Sequence, residues 1–303
     1  MGAAPTPVIL DTDIGGDIDD TWALVMLLGR PELDLKLIVT EADDTEAKTR
    51  LTAKILERMG RTDIPIGTGL KTSDDKLNQA DWIEGYDLSA YPGTVHADGV
   101  QALIDAIRSS EEPITLIALG PVTNIGEALR RAPDIAEKAR VVAMAGSVYM
   151  GYGSRPDPDP EYNVKRDVDA FRALLAAPWE VTITPLDGCG DMILRGERYA
   201  RVRDAENAGA KVVMENYAIW DNRHHHPEDA SSVLFDTVAI YLAFDESLCE
   251  METVPLSVRD DGMTTPDPDG RPVRCQIGWK DRAAYEELLV QSIADPPTAA
   301  RND

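Results

Sequence analysis

The sequence predicts an α/β fold built on an open, mainly parallel central sheet, mixed in places and flanked by helices. Three observations predict it. Short apolar runs alternate with amphipathic stretches along most of the chain. Glycine or proline stands where those amphipathic stretches should stop, at Gly29, Pro31, Gly60, Pro65 and Pro178. Each apolar run then leads through a loop into the next helical stretch, which is the order of βα units.

Strand candidates in chain order are 7–11 (PVILD), 35–41 (LKLIVTE), 114–120 (ITLIALG), 140–146 (RVVAMAG) and 181–187 (VTITPLD). Helical patterns cover 19–29, 44–60, 99–110, 122–139 and 168–177. Ligands of open α/β sheets bind at the carboxyl ends of the strands, so the loops after these strands are where a site is expected. Three segments break the rhythm: polar 70–98, Gly/Pro/Asp-rich 150–160, and 220–232 with its His224–His226 run. Loops this long in a compact unit are functional lids or disordered. With no internal repeat and no convincing linker, residues 8–295 read as one domain, with 1–7 and 296–303 as flexible tails.

Hydrophobic residues at 43% and charged residues at 28% are ordinary for a globular protein. The charge balance is not: 30 Lys and Arg against 54 Asp and Glu leave a net charge of −24. That field disfavours nucleic acid and anionic membranes as partners and suits a cation or a neutral small molecule. Most of the surplus serves solubility. Cys189, Cys249 and Cys275 form no zinc-ligand spacing, and an odd number argues against a disulfide framework. No basic leader precedes an apolar stretch, and no window approaches the roughly 18 apolar residues of a membrane span. A reducing, cytoplasmic location is expected.

Asp11, Asp13, Asp17, Asp19 and Asp20 fall within ten residues, after the first strand and at the start of the first helix. Gly15 and Gly16 let the backbone turn between them. Like charges at ~4 Å cost on the order of 1–4 kcal/mol per pair. One aspartate capping a helix is routine; five together call for a cation. Oxygen ligands in this number suit Ca²⁺ better than Mg²⁺. An EF-hand loop begun at Asp11 fails because Trp22 stands where its last ligand, a glutamate, should be. A phosphatase of the haloacid-dehalogenase kind shares Asp11-Thr12-Asp13 but lacks the small hydroxyl residue that should follow, since Ile14 and Gly15 stand there.

The segment DTDIGGDIDDTWAL closely resembles the signature of the inosine–uridine-preferring nucleoside hydrolase family. ALGPVTNIGEAL (118–129), MAGSV (144–148), EYN (161–163) and FDTVAIYL (235–242) resemble its later motifs in order. The resemblance runs from about Val8 to Ile293 and implies a Rossmann-like nucleoside hydrolase fold. It also implies Ca²⁺-dependent hydrolysis of ribonucleosides to free base and ribose, as in purine and pyrimidine salvage, by a homodimer or homotetramer. Carried over by motif, Asp13 is both calcium ligand and the base that activates a calcium-bound water. Asp20, the Thr123 carbonyl and Asp236 complete the metal set, with Asp11 supporting from behind. Asp19, Asp44, Glu161 and Asn163 hold the ribose.

The chain also departs from the family. Two residues are inserted in the first motif, leaving Asp17 without a counterpart, and the 150–160 loop lacks the usual Gly-Asn. Where many relatives have a histidine that protonates the leaving base, this chain has Phe235, a candidate for base stacking. His96 in VHADG (95–99) is the alternative acid, with one member of His224–His226 facing the pocket mouth and the others facing solvent. Trp220 and Trp82 are candidates to cover the base. Competing functions are a calcium-dependent ribose or nucleoside-binding protein with impaired catalysis, and the phosphatase.

Overall fold

The computed structural model describes residues 4–297 other than 223. Strand β1 (Thr6–Thr12) sends successive apolar side chains to opposite faces. Val8 and Leu10 enter one buried cluster and Ile9 enters the other. Both faces are covered, so the run is continuously apolar. The other strands are β2 (Leu33–Thr40), β3 (Ile66–Thr68), β4 (Val95–His96), β5 (Ile114–Ala118), β6 (Ala139–Met144), β7 (Val181–Thr184), β8 (Cys249–Val258), β9 (Thr264–Pro266) and β10 (Arg271–Trp279).

These strands form one sheet in the order β4-β3-β2-β1-β5-β6-β7-β10-β8-β9. Pairing is parallel from β4 through to β10 beside β7, and antiparallel between β10 and β8 and between β8 and β9. The chain moves outward from β1 to β4, then returns to lay β5 along the other edge of β1. That reversal is a topological switch point, and the crevice beyond the carboxyl ends of β1 and β5 is the natural ligand site.

The first apolar cluster draws on helices Asp19–Leu28, Thr45–Arg58, Ala208–Asp221, Phe235–Leu242 and Arg282–Ala294. The second draws on Gly99–Ser109, Thr123–Arg131 and Val168–Ala176. Helix Asp19–Leu28 is buried along nearly its whole length, which explains a sequence apolar all round (TWALVMLL). It packs against Phe235–Leu242 and Arg282–Ala294. At its end, a Cβ on Gly29 would sit 2.0 Å from the Ser292 carbonyl oxygen.

All five expected strands are present, as are the five helices. The stretch 122–139 divides, because Pro133 pushes Ala132 out of the helical region (φ −148°, ψ 72°) and a 3-10 turn follows. Five strands went unforeseen. β3 and β4 are too short to show a period, and β8 and β10 carry Pro255 and Pro272, which stand opposite each other in register. Thr6 and Pro7, expected in a flexible tail, already pair with Leu33 and Asp34; residues 1–3 and 298–303 lie outside the described residues. No described helix is long and apolar enough to cross a membrane.

The 70–98 segment is pinned rather than loose. The Asn78 amide donates to the Gly15 carbonyl at 2.9 Å, and the Asn78 side chain to Gly16 at 2.9 Å. Gln79 donates to the Asp17 carbonyl at 3.0 Å and accepts from Thr21 at 2.8 Å. Leu77 fills the space beside Gly15, whose φ of +101° only glycine adopts freely. Trp82 does not cover a pocket: its Nε1 donates to Glu215 at 2.9 Å and Lys54 lies 4.6 Å from its ring centre.

Gly29 has an ordinary φ of −88°, so alanine there meets a steric obstacle and no backbone penalty. Gly29→Ala is expected to cost about 1–3 kcal/mol, seen as a lower Tm in thermal unfolding. An unchanged Tm would contradict the close approach.

Candidate active site

The crevice at the switch point is a pocket of about 630 Å³ lined by Asp13, Asp17, Asp19, Asp20 and Asp236. Asp19 and Asp20 lie in the first turn of helix Asp19–Leu28, and Asp236 in the first turn of Phe235–Leu242. Two helix N-termini therefore bring partial positive charge to the same carboxylates. Oxygens of Asp19, Asp20 and Asp236 lie within 4.8 Å of one another, and all three residues are buried. The Asp236 amide donates to Asp19 at 3.3 Å, and the Thr12 hydroxyl donates to Asp20. Burial and then repulsion from neighbouring aspartates, Asp17 and Asp13 among them, hold all three carboxyls well above the usual range. A set of hard oxygen donors under this repulsion fits a divalent cation such as Ca²⁺ or Mg²⁺.

Asp13 lines the same pocket but is not part of that closest trio. Burial raises its carboxyl, and the Lys48 ammonium opposes the rise. Lys48 is 1% exposed; its Nζ donates to the Asp13 carbonyl at 2.7 Å and the Glu41 carbonyl at 3.1 Å, and lies 3.7 Å from Asp43. Beneath the pocket, Glu41 accepts from the Val122 amide at 3.1 Å and the Asn124 amide at 3.5 Å. Those contacts hold the turn in which Val122 takes φ +58° and Thr123 begins its helix. Asn124 donates to Asp11 at 2.8 Å; the second Asp11 oxygen has no partner among the described residues. Burial pushes the Asp11 carboxyl up to about 7.

On the opposite wall, Glu161 caps a short helix, accepting from Asn163 at 2.7 Å, Gly146 at 2.9 Å and Val164 at 3.2 Å. Burial still pushes its carboxyl up to about 7, against those three donors. Asn163 donates to the Leu119 and Met144 carbonyls at 3.0 Å each, tying together the chain ends beyond β5 and β6. The upper pocket is aromatic. Phe235 meets Tyr152 edge-on at 6.2 Å, and Trp220 stacks on His224 at 4.1 Å and on His226 at 4.9 Å.

Of the residues singled out from sequence, Asp13, Asp19, Asp20, Glu161, Asn163, Trp220, Phe235 and Asp236 line one pocket. Asp11 and Thr123 do not line it: Asp11 is held behind it by Asn124, and Thr123 begins the helix that follows the Val122 turn. Three expectations need correction. Asp44 caps helix Thr45–Arg58, accepting from Ala47 at 3.2 Å, and does not line the pocket. Its neighbour Asp43 does, at φ +49° and paired with Arg166 at 2.9 Å. His96 sits on β4, the outer edge of the sheet, exposed beside Lys36 and Gln101 in a separate groove. The histidine run also differs: the helix ends at Asp221, His225 takes φ +57°, and two rings line the pocket, not one.

Glu41, Lys48, Asp43, Tyr152 and Arg166 went unforeseen. Lys48 was detectable as a lone cation on the apolar stripe Ala47, Leu51, Ile55 of an amphipathic helix. Asp44, three residues before Ala47 and directly before the helix, carried the signal of an N-cap.

The chain matches the family described as inosine-uridine preferring nucleoside hydrolase over residues 8–288. The pyrimidine-specific ribonucleoside hydrolase RihA of Shewanella sp. (strain MR-4) is 30% identical over 310 residues, spanning 95% of this chain and 96% of that protein. RihA of Escherichia coli O1:K1 / APEC is 32% identical over 220 residues, 69% of each chain. Among solved structures, the plant nucleoside hydrolase PpNRh1 shares the fold with a TM-score of 0.83 at 21% identity, over 96% of this chain and 100% of that one. A purine-preferring ribonucleoside hydrolase from Gardnerella vaginalis gives 0.78 at 22%, over 95% and 98%.

The raised carboxyls have a consequence for stability. Glu161 and Asp11 bind protons more tightly in the folded chain than in the unfolded one. Their contribution is full below their unfolded values and is lost as pH rises through about 7. Metal-free protein is expected to lose Tm between about pH 4 and pH 7 in calorimetry, with added Ca²⁺ raising Tm more at the higher pH. A Tm that is flat with pH and indifferent to Ca²⁺ would contradict this.

Proposed function

The chain belongs to the inosine-uridine preferring nucleoside hydrolase family and is an N-ribosyl hydrolase; from that premise we propose Ca²⁺-dependent release of base and ribose, with Asp13 as general base. The observation that carries the reading is the buried trio Asp19, Asp20 and Asp236 at two helix N-termini, with Asp13 in the same pocket. Asp13, Asp20, Asp236 and the Thr123 carbonyl would hold the cation, and Asp11 would support them from below. When bound, Ca²⁺ supplies the positive charge that acidifies an attacking water and fixes sugar hydroxyls.

The protein's own groups do the rest. Asp13 accepts the water proton. Breaking the N-glycosidic bond builds positive charge on the ribose, as in an oxocarbenium-like transition state, and surrounding carboxylates stabilise it where it develops. Asp19 and Glu161 accept from ribose hydroxyls. Asn163 has committed its N–H groups to Leu119 and Met144, so its Oδ1 is the atom offered to the sugar. Phe235 and Trp220 form the base wall, where edge and stacking contacts favour an aromatic ligand.

One sheet with a buried cluster on each face supports reading residues 8–295 as a single domain. The three cysteines are buried free thiols, in keeping with a cytoplasmic enzyme; a homodimer or homotetramer remains the expected assembly. The phosphatase alternative falls with the family assignment.

A reducing-sugar assay with inosine, adenosine, uridine and cytidine is expected to show ribose release that a chelator abolishes and Ca²⁺ restores. Asp13→Ala should lower kcat by roughly 10²–10⁴-fold. Full activity in chelator, or in the variant, would sink the mechanism; binding of nucleosides without any release would favour the binding-protein alternative.

A further inference from the structure

One wall of the pocket is a set of carboxylates, Asp13, Asp19, Asp20, Glu161 and Asp236 among them, and the other is aromatic. Phe235 has no proton to give. Tyr152 also lines the aromatic wall, but its hydroxyl already accepts from the Tyr162 amide at 2.9 Å and burial holds the phenol far above its usual range. Two histidines, His224 and His226, line the pocket beside Trp220. His224 is exposed and no hydrogen bond orients its ring among the described residues.

His226 is built differently. Its Nδ1 lies 2.9 Å from Asp221 Oδ1, and its backbone N–H donates to the same oxygen at 2.7 Å. The Asp221 carbonyl accepts from the His224 and His225 amides at 2.9 Å each. One aspartate therefore organises the whole run, and the left-handed backbone at His225 returns the chain so that His226 lies over Trp220, 24° from coplanar. A carboxylate on Nδ1 fixes the tautomer and leaves Nε2 as the nitrogen presented to a ligand. The charged and titratable groups facing His226 are Asp221, Asp17 from the aspartate turn, His224, and Tyr217 at 6.4 Å between ring centres.

A second observation favours a polar ligand on this side. Trp220 Nε1 is buried, belongs to a pocket-lining residue, and has no partner among the described residues. A nucleobase edge supplies hydrogen-bonding groups of this kind, whereas a purely apolar ligand does not.

We propose that His226, positioned by Asp221, protonates the leaving base. The inference rests on the hydrolase mechanism above and adds its acid. As the C1′–N bond breaks, its electron pair goes to the base nitrogen, and the base takes the Nε2 proton of the His226 imidazolium. Water forms the new bond to C1′ and gives a proton to Asp13. Asp13 then releases a proton to solvent and His226 regains one, so the cycle consumes one water.

The test compares kcat/KM for inosine and uridine with that for p-nitrophenyl β-D-ribofuranoside, whose phenolate leaves without protonation. His226→Ala is expected to lose roughly 100-fold or more on the nucleosides while keeping its rate on the nitrophenyl riboside. Asp221→Asn should show the same selective loss to a smaller degree. His226→Gln keeps bulk over Trp220 and repeats the test if the alanine variant does not fold. Equal losses on both substrate classes, or no loss on nucleosides, would overturn the proposal while leaving the hydrolase reading intact. Failure of the unaltered protein to cleave either class would overturn the hydrolase reading itself.

Discussion

Buried negative charge is the constraint to which the rest of this structure answers. Asp11, Asp19, Asp20, Glu41 and Asp236 are each at most 4% exposed, and Asp13 stands beside them. Carboxylates taken out of water must be met by positive charge or donors, or they protonate. The fold meets them piecemeal. Two helix N-termini converge on Asp19, Asp20 and Asp236, Lys48 reaches the backbone beside Asp13, amides of the Val122 turn cradle Glu41, and Asn124 serves Asp11. What these leave unneutralised is concentrated on one trio of carboxylates, at the mouth of the switch point where a ligand has access.

That arrangement was partly legible in the sequence, and the boundary between the readable and the unreadable is physical. The aspartate cluster could be read because its ligands are adjacent in the chain and their mutual repulsion has no bland explanation. Asp236 and Thr123 became readable only through family resemblance, because no local pattern says that residues 100 or more positions away share a strand end. The parallel strands could be read because burial on both faces makes them continuously apolar. β8 and β10 could not, because prolines interrupt them and their pairing is a property of the hairpin. Asp44 and Asp43 show the limit most sharply: adjacent carboxylates, one spent on a helix cap and one facing the pocket, separated by a backbone turn with φ positive at Ala42 and Asp43.

The two halves of the pocket are made by different means. The carboxylate half is set on strand ends and helix starts, with Asp19 and Glu161 held by backbone amides and Asp20 by the Thr12 hydroxyl, as suits a site that must keep its geometry under strong electrostatic strain. The aromatic half comes from Trp220 and Phe235 at the ends of two helices, from the loop beyond Asp221 and from the 150–160 segment, whose Tyr152 meets Phe235. There the left-handed backbone at His225 stores a cost of about 1–2 kcal/mol that Asp221 offsets by holding three successive amides.

The contact between Gly29 and the carbonyl of Ser292 bears on how the chain is made. Helix Asp19–Leu28, which carries two of the three clustered aspartates, leaves the ribosome early, yet the helices that bury it, Phe235–Leu242 and Arg282–Ala294, are among the last to emerge. Pairings this distant along the chain close late. The charged floor therefore cannot reach its final packing until synthesis is nearly finished, and in the interval its apolar helix and its cluster of aspartates are exposed together. The abundance of acidic side chains on a nascent chain, which keeps such intermediates apart by mutual repulsion, is as useful in that interval as in the finished protein.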